Sequence, residues 1–191
     1  MTKNIEFTKG NWEEHFRYAS SDRFDFEPRF YQEEGCIVNG RNPEMVDGFD
    51  YTTIMTKEMY KEGTKIWLTC SFEEYGAPLV TLTDRIRKAE DGNYRHGPCH
   101  EFVVWENGLN IWHMFDVDGE IKFNQLLGLD FHLEPGVKHE LYLEIMDKCI
   151  RIVLGGQDVL LRIEDLPKEV YLGITGCENI NRFYDLRIET L

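Results

Sequence analysis

Two tryptophans, Trp105 and Trp112, lie close in the chain, with Glu101, Asn110 and Asp116 around them. Together these residues can do one kind of chemistry well. The C–H faces of a sugar ring stack on flat aromatic rings, and its hydroxyls need amide or carboxylate partners. The arrangement works only if all five side chains share one surface, so the elements that carry them decide the matter.

Those elements read as two hairpins in series, in PCHEFVVWENGLNIWHMFDVDGEIK, residues 98–122. Asn107-Gly108 lies between alternating apolar runs and predicts a two-residue type I′ turn. Asp118-Gly119 repeats the signal. A turn on Asn107-Gly108 pairs Trp105 with Asn110, Val103 with Trp112, Phe102 with His113 and Glu101 with Met114. Side chains alternate across a strand. One face therefore carries His100, Phe102, Val104, Ile111, His113 and Phe115. The other carries Glu101, Val103, Trp105, Asn110, Trp112, Met114 and Asp116. The plainer reading of the tryptophans is a core face with Val103 and Met114 among them, and both readings stay open here.

His96, His100 and His113 are the candidates for acid–base work, with Glu101 as a carboxylate partner. A divalent metal on His100 and His113 would need Glu101 or Asp116 as a further ligand. In this register both carboxylates point the other way, so no metal is expected. Glycosidases use paired carboxylates, and Glu140 and Glu144 have the nearest spacing to such a pair. Four residues along a strand separate their Cα atoms by roughly 13 Å. Carboxyl groups must lie about 5–5.5 Å apart for retention and about 6.5–9.5 Å for inversion. Solvent-facing strand charges explain these two better. Asp116-Val117-Asp118-Gly119-Glu120 lacks the spacing of a calcium loop and reads as a turn. No phosphate loop, nucleophile elbow or dinucleotide glycine pattern is present.

Residues 84–97, DRIRKAEDGNYRHG, concentrate positive charge through Arg85, Arg87, Lys88, Arg95 and His96. Long patternless loops often carry function, and Arg85, Arg87 or Arg95 could meet an acidic group on a ligand. The plainer reading is a short surface helix over 85–90 followed by a turn.

The 191 residues fit a single domain, residues 1–191, and the 42% hydrophobic and 29% charged composition is globular. The net charge of −14 repels phosphate backbones and anionic lipid, so neither nucleic acid nor membrane is an expected partner. The five cysteines, Cys36, Cys70, Cys99, Cys149 and Cys177, form no C-x-x-C pair. Cys70 and Cys149 lie in strand-like runs and are expected as buried thiols. Free thiols and a first dozen residues without an apolar stretch point to a cytoplasmic protein.

Short strand signals recur along the whole chain. They include Phe24-Asp25-Phe26, residues 29–31, a short apolar run over 35–40 closed by a turn, 51–60, 64–75, 79–83, 127–133, 139–146, 150–154, 159–163, 171–175 and 182–189, with a loop over 42–49. No amphipathic helix of useful length interrupts them. That pattern predicts an all-β antiparallel β-sandwich.

HELYLEIMDKCIRIVLGGQDVLL, residues 139–161, resembles the strand–turn–strand–glycine turn–strand unit of concanavalin A-like lectin/glucanase domains. The closing YLGITGCENINRFYDLRIE resembles the last two strands of such domains. The resemblance covers residues 98–191 and implies a concanavalin A-like jelly roll whose concave sheet binds or cleaves carbohydrate. It implies no cofactor and leaves room for a structural calcium ion. Three functions follow as expectations. In a carbohydrate-binding protein, Trp105 and Trp112 stack on sugar while Asn110, Glu101 and Asp116 hold hydroxyls. In a glycoside-processing enzyme, His96, His100, Glu101 or His113 supplies the acid or base. In an accessory subunit, the aromatic face docks a partner enzyme or a second copy of the chain.

Overall fold

The computed structural model describes residues 1–8, 10–21, 29–39 and 51–191. The predicted strand at Phe24–Phe26 and the loop over 42–49 lie outside these residues. Two antiparallel sheets carry nearly all of the rest. The order across the first sheet is Gln157–Arg162, Cys149–Leu154, His139–Met146, Lys65–Phe72, Asn181–Glu189, Cys36–Asn39, Phe30–Glu33. Thr2–Glu6 also pairs with Asn181–Glu189. The order across the second is Glu120–Asp130, Gly108–Val117, Cys99–Trp105, Gly76–Thr83, Glu169–Glu178, Tyr51–Lys61, Phe16–Tyr18. Among the described residues the helical content is one turn at Trp12–His15. The all-β jelly-roll expectation is met.

Alternation builds the core. Leu141, Leu143 and Ile145 alternate inward from one sheet, and Ile150, Ile152 and Leu154 from the strand beside them. Val80, Leu82, Phe102, Val104, Ile111, Leu172 and Ile174 do so from the other, and all are buried. Two such inner faces interdigitate as one apolar layer. The closing pair, Glu169–Glu178 and Asn181–Glu189, does not form a hairpin. Each strand enters the middle of a different sheet. Between them the Asn181 amide N–H and Nδ2 both donate to Asn39 Oδ1, at 2.7 and 3.1 Å, which ties the crossover down.

Several expectations need correction. Residues 85–90 are not helical: Ile86–Lys88 is a strand, pairing with Tyr94–His96, which in turn runs parallel to Ser20–Ser21 in a small third sheet. Pairing with a strand distant in sequence overrides the local pattern here. The strand expected over 127–133 begins earlier and spans Glu120–Asp130. Cys70 is fully buried, but Cys149 is only half-buried.

The register of the first hairpin also differs. Trp105 pairs with Gly108, Val103 with Asn110, Glu101 with Trp112 and His100 with His113. The turn residues are therefore Glu106 and Asn107, and positive φ falls on Gly108 alone, at +122°. The chain beyond the next strand selects this turn: the Phe131 and Leu133 amides donate to the Asn107 and Glu106 carbonyls at 3.2 and 2.9 Å. A Cβ on Gly108 would lie 2.0 Å from the Leu129 carbonyl oxygen, so glycine is required by close approach. The slip is two residues, and the strand period is two, so every side chain keeps its predicted face. Asp118-Gly119 forms the predicted type I′ turn, with φ of 55° and 84°.

Candidate functional site on the outer face of the second sheet

Phe102, Val104 and Ile111 enter the core, so Glu101, Val103, Trp105, Asn110, Trp112 and Met114 face outward from the second sheet. Successive pairings define rows across this face. One row runs Met55, Gly173, Thr81, Glu101, Trp112, Gln125. The next runs Thr53, Thr175, Leu79, Val103, Asn110, Gly128.

Tyr51 Oη donates a short hydrogen bond to Glu101 Oε1. Two strands, Gly76–Thr83 and Glu169–Glu178, separate the parent strands of these residues. In a flat sheet three strand spacings come to roughly 14 Å, too far once the offset along the strands is added. The sheet therefore curls toward this side, which is the concave face. Its far half is closed: Thr53, Thr81 and Thr175 are buried, and Thr175 Oγ1 bridges Thr53 Oγ1 at 2.9 Å and Thr81 Oγ1 at 3.1 Å. The small third sheet lies over it, with the buried His96 ring 6.4 Å from the Tyr51 ring. The half formed by the two hairpin strands stays accessible.

The two tryptophans have different surroundings. Trp105 leans on a small second cluster of Tyr51, Ala77, Leu79 and Cys177, and its indole N–H is buried without an acceptor. Trp112 is half-exposed between Glu101 and Gln125. Gln125 Nε2 donates to Asn110 Oδ1 at 2.9 Å, which fixes an amide pair beside the Trp112 ring. The amide pair crosses Gly128, where a Cβ would lie 3.0 Å from Gln125 Nε2.

The remaining predicted residues disperse. Asp116 is exposed at the Asp118-Gly119 turn, and its Oδ1 accepts the Gly119 amide at 3.0 Å, so its role is to cap that turn. Arg85 bonds to its neighbour Asp84 at 3.4 Å, and Arg95 to Asp91 at 3.1 Å. Arg87 faces Arg95 in the small sheet. Glu140 and Glu144 lie in the other sheet, where Glu144 accepts the Tyr142 hydroxyl at 2.9 Å.

The four acid–base candidates fall on opposite sides of one sheet. His96 and Glu101 both meet Tyr51 on the outer side. His100 and His113 stack on the inner side, with ring centroids 4.4 Å apart and planes 9° from parallel. Asp165 joins them, 3.7 Å from His100 Nε2 and 3.2 Å from His113 Nδ1. Burial first, then the neighbouring His113, pushes the His100 pKa down to about 4.

Tyr51, Gln125 and Asp165 were not among the predicted residues. Gln125 was within reach of the sequence, because the Asp118-Gly119 turn, counted outward, pairs it with Trp112. No local signal marks Tyr51 or Asp165, whose contacts join distant parts of the chain.

A second aromatic surface lies on the outer face of the first sheet, in a shallow cavity of about 530 Å³ lined by Trp67, Lys138, Glu140, Tyr184 and Arg187. Its rings are already covered. Arg187 Cζ lies 3.7 Å from the Trp67 ring centre and Lys138 Nζ 3.7 Å from that of Tyr184.

No protein-family model matches the chain, and no curated protein matches it in sequence. Solved structures do match in shape. β-Agarase A from Zobellia galactanivorans superposes with a TM-score of 0.68 at 10% identity, covering 98% of this chain and 87% of its own. A Bacillus licheniformis β-glucanase gives 0.63 at 12%, covering 100% and 98%. The carbohydrate-binding module CBM66 from Bacillus subtilis gives 0.62 at 10%, covering 88% and 91%. The chain thus has the concanavalin A-like jelly-roll fold that its sequence resembles. Among the described residues no helix is long and apolar enough to cross a membrane.

Proposed function

We propose that this protein binds carbohydrate on the concave face of its second sheet, with Trp112 as the stacking platform. The observation that carries the reading is the setting of Trp112. Its ring is half-exposed on a curved surface, between the Glu101 carboxylate on one side and the Gln125–Asn110 amide pair on the other. A sugar ring stacked there would meet the exposed Gln125 and the half-buried Asn110 at one edge, while Glu101, buried and bonded to Tyr51, lies behind the other. Trp105, half-buried on the same face, packs against Tyr51, Ala77, Leu79 and Cys177, which leaves Trp112 as the platform of this reading. The fold is shared with a carbohydrate-binding module and with a β-glucanase and a β-agarase, which agrees with a saccharide ligand.

Binding is favoured over cleavage by a count of carboxylates. Glycosidases of the usual kind flank the scissile bond with two. Among the described residues, Glu101 is the one carboxylate in the row through Trp112 and in the rows on either side of it.

The test is a glycan array followed by calorimetry on the best hit, for wild type, Trp112→Ala and Trp67→Ala. Trp112→Ala should weaken binding at least tenfold, in line with the cost of truncating a central aromatic contact of about 1.4 kcal/mol or more. Trp67→Ala should bind as wild type does. Absence of any glycan ligand, or equal affinity in wild type and Trp112→Ala, would overturn the reading. Chromatography of the glycan after overnight incubation should show no shortened product, and a shortened product would replace binding with hydrolysis.

A further inference from the structure

The inner side of the hairpin carries a group of side chains that sugar binding does not use. His100 comes from Cys99–Trp105 and His113 from Gly108–Val117, directly opposite one another. Asp165 comes from the loop between Gln157–Arg162 and Glu169–Glu178. The loop is held in place: the Ile163 amide donates to the Lys148 carbonyl at 2.8 Å, and the Leu166 amide to the Ile163 carbonyl at 3.2 Å. Glu164, beside Asp165, is taken by Lys148 at 3.4 Å and by Arg162. Asp165 is left to face the imidazoles.

The 3.2 Å contact between Asp165 and His113 Nδ1 explains half of this cluster. It leaves His100 unexplained. The His100 side chain is 3% exposed, and among the described residues its Nε2 has no hydrogen-bond partner, Asp165 Oδ1 lying at 3.7 Å. Buried ring nitrogens are normally paired. One nitrogen from each imidazole and a carboxylate oxygen lie within 4.8 Å of one another. Ligands held about 2.1 Å from a tetrahedral ion stand roughly 3.4 Å apart, so a small inward movement would close the cluster on a cation. The parallel rings would tilt toward each other, and His113 has room to do so because its side chain is 18% exposed.

We propose that His100, His113 and Asp165 form a binding site for a divalent d-block cation, zinc by preference, with water completing the coordination. Two imidazoles and one carboxylate are a zinc-type donor set. Calcium, which takes six to eight oxygen ligands, does not suit it. A cation here would bridge two adjacent strands of one sheet to the loop that leads into Glu169–Glu178, an interior strand of the same sheet. The site lies on the opposite side of the sheet from Trp112 and is independent of the sugar-binding reading.

The test uses the whole protein stripped with chelator and dialysed, titrated by calorimetry with zinc chloride and followed by thermal melting. Wild type should bind one zinc per chain, and its Tm should rise by roughly 5–10 °C when free zinc exceeds the Kd a hundredfold. Cobalt(II) should give the visible absorption bands of a four-coordinate nitrogen–oxygen site. Calcium chloride should give no Tm rise. His113→Ala and Asp165→Ala change partly exposed side chains. Each should fold, judged by its metal-free melt, and each should bind zinc at least tenfold more weakly. If one variant melts early, the other still reads the site. No zinc binding by wild type, or unchanged affinity in a folded variant, would overturn the proposal.

Discussion

The outer faces of the two sheets each display a half-buried tryptophan, and the two differ in what their neighbours do. Around Trp67 the row reads Arg187, Trp67, Tyr142. There the neighbours bond to the ring: the guanidinium lies over one face and Tyr142 packs at 4.9 Å. Around Trp112 the neighbours bond to others. Glu101 is engaged by Tyr51, and Gln125 by Asn110. Among the described residues no cation covers the Trp112 ring. A platform thus depends less on a tryptophan than on whether nearby polar groups have partners that keep them off it.

The comparison breaks most completely if the hairpin loses its anchor. Phe102 is fully buried directly behind the outer row. Phe102→Ala should cost about 3–5 kcal/mol, read as a lower midpoint in urea denaturation, and at a concentration of urea that spares wild type it should abolish glycan binding too. A smaller break removes one pairing and leaves the fold. Tyr51→Phe takes the phenol donor from the buried Glu101 carboxylate and should cost about 1–3 kcal/mol. It should also free Glu101 to move, so glycan affinity should change although Tyr51 itself is closed off from solvent. Equal affinity would show that Glu101 is not a ligand. The smallest effect sharpens the contrast from the other side. Arg187→Ala should uncover Trp67 at a cost of about 0.5–1 kcal/mol, with a shift in tryptophan emission and no change in affinity at Trp112.

The part of this architecture legible in the sequence was the part that depends on period. Alternation sorted the hairpin into its two faces correctly even though the Asn107-Gly108 turn was placed two residues out of register, because an even slip preserves parity. The true turn was set by the Phe131 and Leu133 amides, which local turn chemistry cannot anticipate. Among the described residues Asp118-Gly119 has no such outside partner, and the turn forms as its residue types require. The division of labour between Trp105 and Trp112 was not legible either, since it depends on Tyr51, Ala77 and Cys177 arriving from other strands. The same holds for Asp165. Strand period offers the histidines only Glu101 and Asp116 from their own strands, whereas Asp165, from a distant loop, supplies the carboxylate.

The strand order has a consequence for how the molecule comes into being. Glu169–Glu178 and Asn181–Glu189 occupy the middle of the two sheets and are written late in the chain. Until they are made, Tyr51–Lys61 and Gly76–Thr83 have no strand between them, and Lys65–Phe72 lacks one of its two neighbours. Long-range pairings of this kind close slowly because the intervening chain must first be ordered. During synthesis the earlier strands would wait with open edges, where other chains can pair. The sandwich should therefore assemble after residue 189 has left the ribosome rather than strand by strand, and its yield in a cell should depend strongly on expression temperature and on chaperones.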